Sequence, residues 1–164
     1  MKPGDHPNFF RFAPPPGTSR ESTITLDRNG EFFHNGERVD HPALRQALRS
    51  WVALHPDDHR PILTNGYDWC YFRPEIAPIF VTAVSVHTDA TVTLTLFNNT
   101  TEPLNPNALF IDAEGIVYTR TQNGMLARFT RHAQTGLLPL LVNDDPPTIE
   151  IQQKTYPIAP LTSG

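Results

Sequence analysis

Strict alternation of apolar and polar positions marks the stretch from Thr91 to Leu96, near the middle of the chain. Three apolar residues take every second position there, and threonines take the positions between them. Side chains two apart share one face of a β-strand, so the pattern predicts a strand with one buried face. Ile79 to His87 is a second β-rich run, and Thr88 to Ala90 is short and polar enough to be a hairpin loop. We expect an antiparallel sheet in this region.

Other strand-like runs lie on both sides of this hairpin. The third candidate strand of the central sheet is the aromatic-rich run Tyr67 to Phe72. The remaining predicted strands are Thr23–Leu26, Glu31–His34, Ile62–Thr64, Leu109–Asp112, Gly115–Thr121, Met125–Thr130, Thr148–Ile151 and Thr155–Ile158. Several are joined by Asn-Gly pairs, which tolerate the positive φ that tight hairpin turns require. Asn98 to Asn107 has the composition of a loop.

Two segments have the spacing of short helices. Apolar residues at helical spacing (Leu44, Ala47, Leu48, Trp51 and Val52) predict an amphipathic helix that ends near Leu54. Asp40 is a suitable N-cap, and Pro42 fits the first turn because its missing N–H costs nothing there. Arg131 to Val142 is leucine-rich and predicts a second short helix, although Gly136 and Pro139 oppose an unbroken one.

The two halves of the chain share one regularity. In the first half, Gly30 to Gly36 precedes Arg38 and a leucine-bearing helix; in the second, Gly115 to Gly124 precedes Arg128 and a leucine-rich segment. This indicates a repeated unit of hairpin plus helix. We therefore predict an α+β protein of antiparallel β-sheets and two short helices, arranged as an N-terminal arm (1–21), an N-terminal lobe (22–65) and a central sheet with a C-terminal lobe (66–164).

Composition removes several classes of function. The chain has 164 residues and a formal net charge of −4, so no overall basic surface argues for nucleic acid. No apolar run approaches the roughly 18 residues of a membrane span, and the N-terminus lacks the apolar core of a secretory signal. Cys70 is the single cysteine and cannot form an intrachain disulfide, in agreement with a reducing compartment. We expect a cytoplasmic protein that does not engage membranes.

The arm from Met1 to Glu21 is rich in proline and contains Phe9, Phe10 and Phe12. One interpretation is a mobile leader, and the other is an arm that docks on the body of the protein or on a second subunit. We favour docking, because three aromatic side chains left in water would form an adhesive surface. A homo-oligomer held together through this arm is the protein partner that the sequence suggests.

The chain resembles the bacterial domain-of-unknown-function family 1285. The matching segments are Asp27–Val39, Pro42–Leu44, Ile62–Thr64, Ala77–Val84, Tyr118–Arg120 and Gly124–Arg128. The resemblance implies a two-lobed α+β fold with repeated structural motifs and a role in ligand sensing or signal transduction. It implies no particular reaction.

The sequence lacks the short motifs of common enzymes. It contains no phosphate-binding GxxxxGK or GxGxxG loop, no GxSxG and no HExxH, so we predict no cofactor and no catalytic residue. His55 to His59 combines two imidazoles with two carboxylates, but a single loop cluster is more typical of a solvated turn than of a metal site. Asp68 and Glu75 flank the aromatic run and are the acids least explained by turn formation.

Aromatic residues and arginines provide the most suggestive chemistry. The candidate binding residues are Tyr67, Trp69, Tyr71, Arg73, Tyr118, Arg120 and Arg128. Aromatic faces beside guanidinium groups suit a planar or anionic small molecule, because stacking and bidentate hydrogen bonds act together. The alternative is that the aromatic run is core packing. We predict a non-catalytic ligand-binding or regulatory module whose ligand lies near the junction of the lobes. The alternatives are a protein-interaction or oligomeric scaffold and an enzyme of unrecognised type.

Overall fold

The computed structural model describes residues 1–162 and divides the chain into two compact units. The first unit is Met1–Pro78 and the second unit is Ile79–Gly164. Within the described residues there are two α-helices, α1 (Pro42–Trp51) and α2 (Arg131–Thr135), and the remaining regular structure is mostly antiparallel sheet. The predicted α+β class is confirmed.

The first unit contains two sheets. Its strands are β1 (Ile24–Leu26), β2 (Phe32–His34), β3 (Glu37–Arg38), β4 (Val52–Leu54), β5 (Pro61–Thr64), β6 (Trp69–Tyr71) and β7 (Arg73–Pro74). One sheet has the order β3-β2-β1-β7 and the other β4-β5-β6. Consecutive strands within each sheet pair antiparallel, whereas β7 pairs parallel with β1. The helix α1 connects the two sheets along the chain.

The second unit contains a larger sheet. Its strands are β8 (Ile79–Val86), β9 (Val92–Leu96), β10 (Thr101–Pro103), β11 (Leu109–Ile111), β12 (Val117–Arg120), β13 (Leu126–Phe129), β14 (Leu141–Asp144), β15 (Pro147–Ile151), β16 (Lys154–Pro157) and β17 (Ala159–Pro160). Seven strands form one sheet in the order β10-β9-β8-β13-β12-β11-β17, and β14-β15-β16 form the other. The β8–β13 and β11–β17 pairs are parallel.

The two units repeat one topology. In each, a three-stranded antiparallel meander leads into a helix, a second three-stranded meander follows, and a last short strand pairs parallel with the first strand. The correspondence extends to the register, since Leu26 is opposite Pro74 and Ile111 is opposite Pro160. The predicted hairpin-plus-helix repeat is therefore confirmed and covers a longer segment than predicted. Strands β8 to β10 precede the repeat in the second unit.

The first helix differs from the prediction at both ends. Pro42 is its first residue, so the cap is His41 and not Asp40; the His41 Nδ1 accepts from the Leu44 N–H at 3.3 Å. The helix ends at Trp51, and Val52–Leu54 instead forms β4 by pairing with β5. Sheet pairing outweighs the helical periodicity there, because those residues are apolar and have a partner strand available.

The central region also differs from the prediction. The β8–β9 hairpin forms as expected, with Val92, Leu94 and Leu96 buried. The run Tyr67–Phe72 does not join this hairpin: only Trp69–Tyr71 is a strand, and it pairs with β5 in the first unit. The supposed loop after Asn98 contains β10, which pairs with β9. These pairings join segments whose local composition does not specify a partner.

The second helix is shorter than predicted. It ends at Thr135, and Gly136 is its C-cap. Gly136 also lies so close to β8 that an added Cβ would approach the Val84 side chain to 3.0 Å. A 3-10 turn at Leu138–Leu140 follows and leads into β14. The glycine and proline that opposed an unbroken helix in the sequence therefore do interrupt it.

The N-terminal arm docks on the first unit. Phe9 is 6% exposed and packs with Ile62 and Trp69, and Phe10 packs against the same cluster. Phe12 remains 51% exposed. The docking interpretation is confirmed for the first two phenylalanines. No helix within residues 1–162 has the length and apolar character needed to cross a membrane.

Candidate ligand-binding site

Tyr118 and Arg128 form the centre of the predicted site in the second unit. They are direct cross-strand partners on β12 and β13. The Arg128 Nη1 donates to the Tyr118 hydroxyl at 2.7 Å, and that hydroxyl donates to Asp112 Oδ2 at 3.0 Å. Tyr118 is only 1% exposed, whereas Arg128 is half-buried and retains contact with solvent. The sheet register therefore holds one guanidinium group in a fixed position.

Asp112 and Tyr118 have opposite pKa shifts. Burial acts to raise the pKa of Asp112, but hydrogen bonds from the Ile116 and Glu114 N–H groups and from Tyr118 outweigh it, so the pKa lies below its usual value. Burial, followed by the hydrogen bond to Asp112, raises the pKa of Tyr118. At neutral pH the carboxylate is ionised and the phenol keeps its proton. Tyr118 therefore accepts from Arg128 and donates to Asp112, which fixes the position of the guanidinium group.

The repeat allows this arginine to be compared with a counterpart. Asp27 and Asp112 begin equivalent turns, because each Oδ1 accepts the N–H groups two and four residues later. In the strands that follow, Arg38 is opposite Phe33 as Arg128 is opposite Tyr118. Arg38 and Arg128 therefore occupy the same place in the two units.

The two arginines differ in their counter-charges. Arg38 pairs with Glu31 at 3.4 Å and with Asp40 at 3.3 Å. The equivalent positions in the second unit, four residues after the turn aspartate and two after the arginine, are Ile116 and Thr130. Within residues 1–162, Arg128 forms no ion pair with a carboxylate at 4.0 Å or less. Asp112 interacts with Arg128 electrostatically and is also linked to it through the Tyr118 hydroxyl.

The third predicted residue of the second unit, Arg120, is more loosely held. It lies two residues from Tyr118 on β12, and its Nη1 donates to the Gly124 carbonyl at 3.4 Å. Its side chain is exposed. It shares a strand face with Tyr118 and adds positive charge to that face without entering the hydrogen-bonded chain.

In the first unit, Trp69 and Tyr71 lie within an aromatic cluster. The Trp69 ring contacts Tyr71 edge-on at 5.1 Å and His55 at 5.0 Å, and the arm residues Phe9 and Phe10 cover it. The Tyr71 ring has the Arg60 guanidinium 3.7 Å from its centroid. Its hydroxyl donates to Asp58. These contacts are those expected for the packing alternative.

Tyr67 and Arg73 lie apart from this cluster. Tyr67 is 64% exposed in the loop before β6, so it does not share a strand face with Trp69. Arg73 is exposed on β7, where it pairs with Thr25 of β1. The structure thus brings together Trp69 with Tyr71, and Tyr118 with Arg128. The expected position of a ligand near the junction of the lobes stays a prediction.

The His55 to His59 segment uses its polar atoms within the protein. The His55 Nδ1 accepts from the Asp57 N–H at 3.1 Å, which leaves Nε2 to donate to the Phe10 carbonyl at 3.1 Å. Asp57 pairs with Arg11, and Asp58 accepts from Tyr71. No cluster of three metal-ligating side chains occurs within the described part of the chain. His55 therefore anchors the arm.

The two acids singled out beside the aromatic run both bind arginines. Asp68 accepts from Arg20 and from the Trp69 N–H, and Glu75 accepts from the N–H and the side chain of Arg28. Asp112 was not singled out from the sequence. The informative signal was its equivalence to Asp27, combined with a tyrosine six residues later.

The protein is therefore a repeat-containing α+β protein in which hydrogen bonds link Arg128, Tyr118 and Asp112 on one sheet. The same fold is found in two solved structures of DUF1285 family proteins. The one from Silicibacter pomeroyi DSS-3 has a TM-score of 0.66 at 17% identity and covers 85% of this chain and 80% of its own. The one from Shewanella baltica OS155 has a TM-score of 0.57 at 14% identity and covers 74% of this chain and 94% of its own.

These likenesses establish a shared fold with DUF1285 proteins and support the resemblance predicted from the sequence. No protein-family model matches the chain, and no curated protein matches it.

Proposed function

We propose that the protein is a non-catalytic ligand-binding or regulatory module that holds a small anionic molecule on Arg128. The observation that carries the proposal is the contrast with Arg38: the same position in the first unit has two carboxylate partners, and the position in the second unit has a phenol. Within residues 1–162, the Arg128 side chain donates a hydrogen bond only from Nη1. A half-buried guanidinium with donors left over favours an anion, especially one that accepts two parallel hydrogen bonds. Tyr118 contributes by fixing the guanidinium, and Arg120 by adding positive charge nearby.

The remaining candidate residues contribute less to this proposal. Trp69 and Tyr71 are engaged with the arm and with each other, whereas Tyr67 and Arg73 are exposed side chains of the first unit. They remain candidate ligand contacts on that unit. The anion site is therefore assigned to Tyr118, Arg120 and Arg128.

The test is calorimetric titration with inorganic phosphate, acetate and malonate. We expect at least one of these anions to bind saturably, and the affinity to fall at least tenfold in Arg128→Gln. Arg38→Gln is the matched control, because it removes the equivalent arginine from the first unit and should leave anion binding unchanged. Equal losses of anion affinity in the two variants would show only a general effect of charge and would contradict a site at Arg128. The absence of anion binding in the unmodified protein would refute the assignment.

A second candidate function is a protein-interaction or oligomeric scaffold. The exposure of Phe12 favours this scaffold function, because the side chain is left 51% exposed beside two docked phenylalanines of the arm. Light scattering of the Phe12→Ser variant tests it: a mass that falls from oligomer to monomer supports the scaffold, and a monomeric unmodified protein removes it. Phe12 is the informative position, since substitution of Phe9 or Phe10 would also disturb the packing of the first unit.

A further inference from the structure

A shallow groove of about 170 Å³ lies in the first unit between α1 and the sheet of β5 and β6. Residues of α1, of strands β1, β5 and β6 and of one loop line it; Ile24 and Trp69 contribute beside the residues that matter most here, which are Leu48, Trp51, Leu63, Cys70, Asn65 and Asp68. The apolar members form its walls, and both polar members come from the loop that joins β5 to β6. The groove is separate from the anion site in the second unit.

Rigid elements form the walls of this groove. Leu63 and Cys70 are paired in register across β5 and β6, so their side chains share one face of the sheet. Leu48 and Trp51 are three residues apart on α1 and therefore share one face of the helix. The opposite face of the sheet carries Ile62 and is covered by the arm. The groove therefore does not depend on displacement of the arm.

The volume of the groove limits what it can hold. An apolar protein cavity of roughly 150 Å³ accepts one benzene molecule. The groove, at about 170 Å³, is of the same size and is open on one side. It therefore accommodates one six-membered ring or a group of similar bulk, with space for a short substituent that reaches the loop.

Asp68 places a carboxylate at one end of the groove, where Arg20 neutralises part of its charge. Its Oδ1 accepts from Arg20 and from the Trp69 N–H, whereas its Oδ2 accepts no hydrogen bond from residues 1–162. The Asp68 side chain is 65% exposed and that of Arg20 is 16% exposed, so Arg20 engages the carboxylate from the buried side. The second carboxylate oxygen is left to a ligand cation. The Asn65 Oδ1 is already used by the N–H groups of Tyr67 and Asp68.

We propose that this groove binds a small organic amine that carries one ring. The ring lies between the apolar side chains of α1 and the Leu63–Cys70 face of the sheet, and the ammonium group pairs with Asp68. The charge complementarity is opposite to that of the Arg128 site, so the two sites take different ligands. The proposal does not depend on anion binding in the second unit.

The experiment compares benzylammonium, benzyl alcohol and benzoate, which share a ring and differ in charge. Cys70 is the only cysteine and lines the groove, so the rate of its alkylation by iodoacetamide reports occupancy. Burial raises the pKa of the Cys70 thiol, so all rates are compared at one fixed pH. We expect benzylammonium to slow alkylation saturably with a dissociation constant on the order of 1 mM, benzyl alcohol to protect more weakly, and benzoate to give no protection.

Two variants locate the charge. In Asp68→Asn, benzylammonium should bind roughly twofold to fivefold more weakly and match benzyl alcohol, whose own binding should not change. Arg128→Gln should bind all three compounds as the unmodified protein does, which separates this result from any failure of the anion site. If Asp68→Asn disturbs the loop and weakens benzyl alcohol as well, the order of the three compounds on the unmodified protein decides. Equal protection by all three, or protection by none, would overturn the proposal.

Discussion

The two units share a topology but differ in how their arginines are neutralised. Within residues 1–162, all arginine–carboxylate ion pairs lie in the first unit, where they involve Arg11, Arg20, Arg28, Arg38, Arg45 and Arg60. In the second unit, Arg128 is bound by a phenol and Arg120 by a carbonyl. The backbone pattern is therefore repeated in the two units, whereas the charged groups around the equivalent arginines differ.

The arm is a second difference between the units. Truncating its buried phenylalanine should have the largest effect on stability. Phe9 fills a buried position on the sheet β4-β5-β6 of the first unit. Phe9→Ala should lower the free energy of unfolding by about 3 kcal/mol, because it leaves a cavity beside Ile62 and Trp69. Urea unfolding followed by tryptophan fluorescence measures it.

Phe12→Ala is the control for the arm, since its side chain is half exposed, and it should change stability by less than about 0.5 kcal/mol. Equal effects of the two substitutions would mean that the arm does not dock through Phe9.

Substituting the two equivalent turn aspartates should change stability by an intermediate amount, and the two variants form a matched pair. Asp27→Ala and Asp112→Ala each remove two hydrogen bonds from backbone N–H groups, and only the second also removes the acceptor of the buried Tyr118 hydroxyl. We expect Asp112→Ala to cost about 1 kcal/mol more than Asp27→Ala. Chemical denaturation of the two variants side by side provides the measurement. A larger loss for Asp27→Ala would contradict the ordering.

The acid dependence of stability is the smallest of these effects. The folded-state pKa of Asp112 is depressed, so its stabilising contribution is complete above the ordinary aspartate pKa of about 3.9 and is lost as pH falls further through the folded value. Asp112→Asn should therefore lose less stability than the unmodified protein between neutral pH and acid. Thermal unfolding across that range tests this, and parallel curves for the two proteins would show that Asp112 contributes no such linkage.

Local patterns in the sequence were sufficient to predict strands and turns whose pairing partners are adjacent in the chain. The alternation at Val92, Leu94 and Leu96 specified β9 and its buried face, and Asn-Gly pairs specified the β1–β2, β2–β3 and β12–β13 turns. Three of the strands that were not predicted, Val52–Leu54, Thr101–Pro103 and Ala159–Pro160, are short, and they are strands only because another segment pairs with them. That information is non-local.

The candidate site could be predicted from the sequence only in part. Tyr118 and Arg128 were predicted because an aromatic face beside a guanidinium group suits an anionic ligand, and Arg38 and Arg128 were separately aligned by their place after a hairpin. That Arg128 has no carboxylate ion-pair partner within residues 1–162 could be derived only from the strand register, which identifies Ile116 and Thr130 as the counterparts of Glu31 and Asp40. The groove beside Asp68 was not foreseen, because its walls come from separate elements.

The most direct test of the central claim is to observe both arginines in one titration. The Nε–Hε resonances of Arg128 and Arg38 can be followed by NMR as inorganic phosphate or malonate is added at constant ionic strength. The proposed site predicts a saturable shift of the Arg128 resonance, with Arg38 unmoved because Glu31 and Asp40 already occupy it. Resonances that both move linearly without saturation, or an Arg128 resonance that does not move, would contradict an anion site in the second unit.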